Sequence, residues 1–212
     1  MTVQIGNNVQ MEVQATLATA VTITGMTKAD PAVATATAHG IADGTYGYLT
    51  ITDGMRKAHT QVVRTANSDA NTFELEGLDT TNYATWSAGT FTAVSTWSTL
   101  CVATAYSIAN AAPTEIDETT LCDDLTRIRY GLPGQKSGSI SIQHDSDSSA
   151  LQYLEAADTS DIIAFRATYA NGNIRVFGAF TAYGGGFSGG VSQLETGEIP
   201  ITVPALVVTY TS

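Results

Sequence analysis

Residues 163–180, IAFRATYANGNIRVFGAF, carry the strongest strand signal of the chain. Two runs rich in β-branched and aromatic residues flank the dipeptide Asn171-Gly172. Asn-Gly tolerates the positive φ angles of a type I′ turn, whose twist matches the strands that it joins. The pattern therefore predicts a β-hairpin, and with it a fold built mainly from antiparallel strands.

Weaker strand signals lie on both sides of this hairpin. Residues 9–17 alternate between apolar and polar side chains, which is the period of a half-buried strand. The Gly6-Asn7-Asn8 turn before them predicts a pairing with residues 2–5. Similar patterns predict strands at residues 139–144, 199–203 and 206–210.

One helix is predicted among these strands, over residues 147–158. Ser149 and Gln152 form a capping-box pattern, and Leu151 and Leu154 follow at helical spacing. Because this apolar stripe is narrow, we expect the helix to lie against a sheet.

Residues 21–96, which we call the module, differ from the rest of the chain. They contain short strand signals, many Thr-Ala pairs and glycine turns such as Asp43-Gly44 and Asp53-Gly54. We interpret the module as a small β-barrel domain on the outer surface. It is inserted into a loop of a discontinuous β-sandwich core formed by residues 1–20 and 97–212.

Composition excludes several functional classes. The chain has 212 residues, is 43% hydrophobic and carries a net charge of −11 with nine basic residues. Binding to nucleic acid needs clustered cations, so specific DNA or RNA binding is not expected. No run approaches the roughly 18 apolar residues of a membrane span, and no secretory signal is evident. Cys101 and Cys122 are predicted to be buried and reduced, with a disulfide as the alternative.

Several short motifs resemble chemical sites but lack the required context. Residues 186–190, GFSGG, match the nucleophile elbow of serine hydrolases, yet no helix pattern and no histidine follow Ser188. Residues 184–189 fit G-x-G-x-x-G, again without a helix after them. The acidic stretch from Asp145 has alanine where a calcium loop needs glycine and glutamate. His39 and His59 have no ligands at metal spacing. No catalytic residue, cofactor or metal is expected.

Residues 114–138, TEIDETTLCDDLTRIRYGLPGQKSG, have the composition of a protein–protein contact. An acidic, threonine-rich segment leads into a loop of glycine, proline and glutamine, and a strand follows. The carboxylates are scattered and no histidine is near, so the stretch is not suited to catalysis.

The order of these features resembles the tail-tube proteins of long-tailed bacteriophages. The matching features are VQIGNNVQMEVQ, APTEIDETTL, YGLPGQKSGSI, the helix over 147–158, FRATYANGNIRVFGAF and the final PALVVT. The module resembles a small β-barrel that recurs in phage tail and baseplate proteins. The glycine-rich residues 184–190 and the module are departures from the family pattern.

The resemblance implies a tail-tube type β-sandwich or barrel with one flanking α-helix. It also implies that six copies close into a ring, that rings stack into a tube, and that DNA passes through without specific binding. Further partners implied are the tape measure protein and the tail terminator and tip proteins. The expected location is the virion tail, after synthesis in the cytoplasm of the bacterial host, with no membrane contact.

Two sets of site residues are expected on this basis. For contact between rings we select residues of the loop and its flanks, because tyrosine and arginine bring large contact areas and several hydrogen bonds: Arg127, Arg129, Tyr130, Leu132, Pro133, Gln135 and Lys136. For an acidic channel wall that repels phosphate we select acids from several predicted strands and loops: Glu12, Glu115, Asp117, Glu118, Asp161, Glu195 and Glu198.

Two other functions remain open. A receptor- or carbohydrate-binding tail module would use exposed aromatic residues such as Tyr83, Trp86 and Trp97. A hydrolase would use Ser188 as its nucleophile.

Overall fold

The computed structural model describes residues 9–131, 134–157 and 159–211. These residues form strands and a single α-helix, so the predicted mainly-β class with one helix is confirmed. The helix α1 is Ser149–Ala156, and a short 3₁₀ helix covers Arg56–Ala58. The strands are β1 Gln10–Leu17, β2 Val21–Ile23, β3 Gly25–Met26, β4 Ala32–Thr35, β5 Tyr46–Asp53, β6 Val62–Ala66, β7 Thr72–Glu76, β8 Ala88–Thr99, β9 Ala103–Ala109, β10 Glu115–Asp117, β11 Ile128–Tyr130, β12 Lys136–Gln143, β13 Ile163–Thr168, β14 Ile174–Thr181, β15 Phe187–Ser188, β16 Thr196–Val203 and β17 Val208–Tyr210.

All but two of the strands belong to one continuous, curled antiparallel sheet. Its order is β3-β4-β7-β6-β5-β8-β1-β13-β14-β16-β12-β9, with β2, β15 and β17 attached at its margins. Strand β8 pairs with β5 at its first half and with β1 at its second half. The remaining two strands, β10 and β11, pair with each other and with no other described strand.

One apolar core lies between the curled sheet and helix α1. Phe165 and Phe177 stack at its centre with ring centroids 5.4 Å apart. The helix contributes its buried face of Ala150, Leu151 and Leu154, the narrow stripe that the sequence predicts.

The predicted capping box does not form at this helix. Ser148 is the N-cap residue and makes no side-chain cap bond, and Ser149 is already helical. The hydroxyl of Ser149 instead lies within hydrogen-bond distance, 3.0 Å, of the Ser98 hydroxyl on β8. The hydroxyl that would cap the helix therefore makes a tertiary contact. The predicted last helical residue, Asp158, lies outside the described residues.

A second core belongs to the module. Its buried residues run from Ile23 to Phe91 and centre on Phe73 and Phe91, whose rings lie 5.2 Å apart. The first core draws only on residues near β1 and on residues from Leu100 onward. Strand β8 nevertheless crosses the domain boundary at residue 96, and the division into core and module stays a prediction.

Polar and aromatic groups fix the module against the core. The hydroxyl of Tyr210 accepts a hydrogen bond from the Arg64 N–H at 2.9 Å and donates one to the Glu76 carbonyl at 3.0 Å. The Arg64 guanidinium packs over the Tyr210 ring at 4.5 Å and pairs bidentately with Glu76. The Gln61 amide bonds both backbone groups of Leu206.

The central hairpin is confirmed, but its predicted type I′ turn is wrong. Gly172 has a φ of 82°, whereas Asn171 is not in the left-handed region. The Gly172 N–H donates to the Tyr169 carbonyl and the Tyr169 N–H to the Asn173 carbonyl, each at 2.9 Å. These bonds describe a type I turn closed by a glycine bulge, in which a single left-handed residue suffices.

Two burial predictions are also corrected. Strand β1 is buried on both faces from Met11 to Gln14, whereas the alternation predicts a solvent-exposed face. Glu12 and Gln14 are buried on that face because they accept hydrogen bonds from Arg166 and from the Ala164 N–H. Cys101 and Cys122 are free thiols, as predicted, but both are exposed. The predicted strand at residues 2–5 and its turn lie outside the described residues.

Candidate assembly surfaces

Strands β10 and β11 form a two-stranded arm separate from the main sheet. The register pairs Glu115 with Tyr130 and Asp117 with Ile128. Backbone bonds from Glu118 to Arg127 and from Gly131 to Thr114 extend the ladder at both ends. We call residues 115–130 the hairpin arm.

Asp–Thr hydrogen bonds build the tip of the hairpin arm. The Asp117 carboxylate accepts from the backbone N–H of Thr119 at 2.8 Å. The Asp123 carboxylate accepts from both the N–H and the hydroxyl of Thr120, each at 2.8 Å. The hydroxyl and then the N–H of Thr119 hold the pKa of Asp117 below its ordinary value, and bonds from Thr120 do the same for the pKa of Asp123. The acidic and threonine residues of the motif DETTLCDD thus form the hydrogen bonds that hold the turn together.

Apolar side chains project from this polar turn. Leu121 is 107% exposed and Leu125 is 80% exposed at the tip. The strands of the arm add the exposed side chains of Ile128 and Tyr130 on one face and of Ile116 on the other. Large apolar groups in such a cluster mark a contact site, whereas single ones are ordinary on a surface. Sequence reasoning missed Leu121 and Leu125, although both stand out as apolar residues in an acidic segment.

The predicted ring-stacking residues divide between the arm and its base. Arg127, Arg129 and Tyr130 lie on the arm and are exposed, with the arginines paired to Asp123 at 3.4 Å and to Glu118 at 3.0 Å. Gln135 and Lys136 lie at the base, where β12 begins. Leu132 and Pro133 lie outside the described residues.

The sheet of β9, β12 and β16 has two contrasting faces. Ile140, Ile142, Ile199 and Ile201 point into the core. The opposite face, which we call the smooth face, consists almost entirely of small residues and carries one acid, Glu198. Its members are Ala105, Ser107, Ala109, Ser137, Ser139, Ser141, Gln143, Thr196, Glu198, Pro200 and Thr202.

Strand β9 is the free edge of this sheet. Among the described strands it pairs with β12 alone, and its sequence ATAYSIA carries neither a charge nor a proline. Monomeric proteins usually protect such an edge, because its unpaired backbone groups accept another strand.

The predicted channel acids do not gather on one surface. Glu115, Asp117 and Glu118 lie on the hairpin arm, and Glu195 and Glu198 lie at the start of β16. Asp161 lies in a separate cleft beside Tyr48 and Tyr153. Glu12 is buried and pairs with Arg166 at 2.7 Å, so it is unsuited to a channel wall. The Arg166 guanidinium also packs over Trp97 at 4.6 Å.

Residues 184–195, which we call the glycine-rich segment, run along the start of β16. Phe187 pairs with Gly197 and stacks on His144, with ring centroids 4.3 Å apart. Ser188 belongs to a two-residue strand and not to a strand–helix elbow. The Nδ1 atom of His144 is buried without a hydrogen-bond partner among the described residues, so it does not orient Ser188.

The remaining candidate residues take part in packing and turns. Tyr83 and Trp86 pack against the module core, whereas Trp97 packs against a separate apolar cluster that includes Tyr46 and Tyr210, so the three rings form no common platform. Asp145 accepts a hydrogen bond from the Asp147 N–H in the turn before α1.

In the described ranges, no group of three or more His, Cys, Asp or Glu residues could hold a metal ion. Nor does any helix among those residues have the length and apolarity needed to cross a bilayer.

Comparison with known proteins identifies the family. No curated protein matches the chain. A model of the family described as phage tail tube protein, TTP, matches residues 53–211, about three quarters of the sequence. The match begins within the module and includes the hairpin arm, the smooth face and the glycine-rich segment. This match confirms the resemblance and makes the protein a structural component of the phage tail, so the chain belongs to the phage tail tube protein family.

Proposed function

We propose that copies of this chain close into rings, six to a ring, and that the rings stack into the tail tube through the hairpin arm. The observation that carries the proposal is the arm itself. It stands apart from the main sheet and exposes Leu121 and Leu125 at its tip. An apolar tip on a two-stranded support suits insertion into a neighbouring molecule.

Strand β9 supplies a means of closing the ring. A copy that adds backbone hydrogen bonds to β9 continues the sheet around the ring, and closure then removes the exposed edges. The number six comes from the family resemblance and not from the geometry of one subunit.

The smooth face is the wall that we propose for the channel. Serine, threonine and alanine offer DNA no cation to bind, and Glu198 adds like charge against phosphate. Screening limits this repulsion to about 8 Å at physiological salt, so only acids on the wall itself act on the DNA. Of the predicted acids we retain Glu198 at the wall, and we propose that Glu195, those of the arm and Asp161 lie elsewhere. The tape measure protein and the terminator and tip proteins are the further partners.

The first experiment replaces residues 119–126 by Asn-Gly. The dipeptide closes β10 and β11 directly, so the arm keeps its strands but loses its apolar tip. The expected product is a folded subunit, seen by circular dichroism, that forms no long tubes in electron microscopy although the full chain does. Tubes of normal length from the shortened arm would refute the stacking role.

The channel proposal has its own test in phage particles. Glu198→Lys places a cation on the smooth face and should slow genome ejection. Asp69→Lys makes the same charge change on an exposed turn of the module and should leave ejection unchanged. Equal ejection rates for both variants would reject the smooth face as the wall.

A further inference from the structure

Exposed large apolar side chains occur in two groups. One is the hairpin arm, and the other is the glycine-rich segment, where Phe187 is 56%, Val191 is 99% and Leu194 is 70% exposed. Among the described residues, the other large apolar side chains with such exposure are Leu17 and Leu206, which lie singly.

The two groups lie at opposite ends of the same strands. The arm connects the end of β9 to the start of β12, where Lys136 pairs with Val203. The glycine-rich segment leads into the start of β16, where Thr196 pairs with Gln143. Seven residue steps separate these pairs, which corresponds to about 23 Å along the strands. One subunit thus has an apolar projection at one end and an apolar segment at the other.

Two glycines of the segment have no explanation within the subunit. A Cβ at Gly184 or Gly186 would meet no atom within 4 Å, and neither residue has a left-handed φ. The other described glycines have a positive φ or a neighbouring atom within that distance. Gly186 and Phe187 also line an open cleft of about 630 Å³ against Ser141 and Glu198. The absence of side chains at these two positions leaves room for close approach by another molecule.

We infer that the glycine-rich segment receives the tip of the hairpin arm from a second copy of this chain in the next ring. The inference rests on the proposed stacking function and adds the receiving surface to it. A tube grows through a heterologous contact, in which one patch of each subunit binds a different patch of the next. The arm tip and the glycine-rich segment are two such patches, placed head to tail. Leu121 and Leu125 pack against Phe187, Val191 and Leu194, and the open space at Gly184 and Gly186 admits the backbone of the tip.

Cross-linking tests this contact directly, because Cys122 already lies at the tip and is exposed. The variant Cys101→Ser with Gln193→Cys carries one thiol on the tip and one on the segment. Assembled tubes of this variant, treated with a short bismaleimide, should give a ladder of covalent multimers on a denaturing gel. Cys101→Ser with Asp69→Cys places the second thiol on the module as a matched control. Since bound neighbours raise the effective thiol concentration, the ladder should exceed the control at least about tenfold.

The possible outcomes distinguish a failure of this docking contact from a failure of the proposed stacking function. Tubes that form in both variants and cross-link equally would overturn the inference and leave stacking by the arm intact. Absence of tubes from the full, unsubstituted chain would refute the proposed function itself.

Complementation gives a second reading of the same contact. One variant, Leu121→Ser with Leu125→Ser, lacks the tip, and another, Phe187→Ser with Val191→Ser and Leu194→Ser, lacks the segment. Each should remain folded and fail to form tubes. Mixed together, they should form a complex one stacking step long, because each supplies the patch that the other lacks. Failure of the two folded variants to associate would contradict the inference.

Discussion

Single residues show where this fold depends on polar contacts that the sequence does not reveal. Tyr210 is buried near the end of the chain, and its hydroxyl bonds the backbone of Arg64 and of Glu76 in the module. Burial raises the pKa of this phenol, which therefore stays neutral and can donate its proton to the Glu76 carbonyl. A terminal strand residue thus fastens two parts of the chain that are more than 130 positions apart.

Removing this hydroxyl should destabilise the subunit. In Tyr210→Phe the ring is kept, but the Arg64 N–H and the Glu76 carbonyl lose their partner. An unsatisfied buried group costs about 1–3 kcal/mol, and we expect the free energy of unfolding to fall by this amount. Urea denaturation of unassembled subunits measures it. Tyr130→Phe on the exposed arm is the control and should change the value by less than about 0.5 kcal/mol. Equal effects of the two substitutions would exclude this role for Tyr210.

The arm tip should depend on the ionised state of Asp117. Its pKa in the folded protein lies below the ordinary 3.8, first through the Thr119 hydroxyl and then through the Thr119 N–H. A carboxylate with a lowered pKa stabilises the folded tip above pH 3.8 and loses this contribution as the pH falls through the lower, folded-state pKa. We therefore expect the turn to loosen only in acid below 3.8.

Thr119→Ala tests this assignment. Loss of the hydroxyl should move the pKa of Asp117 up toward its ordinary value in an NMR titration of the carboxyl carbon. The pKa of Asp79 is lowered in the same way, by the hydroxyl and then the N–H of Thr81 in the module. Asp79 therefore serves as the internal control, with no change expected. An unchanged pKa of Asp117 in the variant would show that the hydroxyl is not the cause.

At the scale of elements, local sequence patterns predict where the strands lie better than they predict which of their side chains are buried. The strands at 139–144 and 199–203 correspond to β12 and β16, because alternation reports which face is buried. The same signal misjudged β1, since Glu12 looks solvent-facing until Arg166 from β13 is placed beside it. For the hairpin arm the sequence predicts an acidic, threonine-rich segment leading into a loop, and no strands. Its strands are three residues long, and its order comes from Asp–Thr turns that have no periodicity.

Glycine at one strand position fixes the free edge of the sheet. A Cβ at Gly138 would overlap the Ser107 carbonyl oxygen of β9. Gly138→Ala should therefore push β9 away from β12 and cost at least the roughly 1–3 kcal/mol of an overpacked site. Amide hydrogen exchange should show lost protection in β9 while helix α1 keeps its own. Gly184→Ala, placed in open space, is the matched control and should leave exchange in β9 unchanged. Protection retained in β9 of the Gly138 variant would show that the strand adapts.

For the whole molecule, the candidate surfaces could be predicted only in part. The acidic composition and the position of the loop are visible in the sequence. The smooth face is not, because it combines residues of three strands that only the sheet order brings together. The pairing of arm and glycine-rich segment at opposite ends likewise needs the register of β12 with β16. Residues 184–189 alone predict only a flexible hairpin tip.

The dependence of assembly on salt follows from the balance between charge repulsion and apolar contact. Each copy carries a net charge of −11, so neighbouring copies repel one another. The contacts that we propose through Leu121, Leu125 and the glycine-rich segment are apolar, and ions do not weaken them. Raising the ionic strength from about 0.01 M to 0.15 M shortens the Debye length from about 30 Å to 8 Å and screens the repulsion. Assembly should therefore begin at a lower protein concentration in the higher salt, as light scattering would measure. If ion pairs of Arg127 and Arg129 with a neighbour dominated instead, added salt would raise the protein concentration at which assembly begins. That result would show that stacking does not depend mainly on apolar contacts.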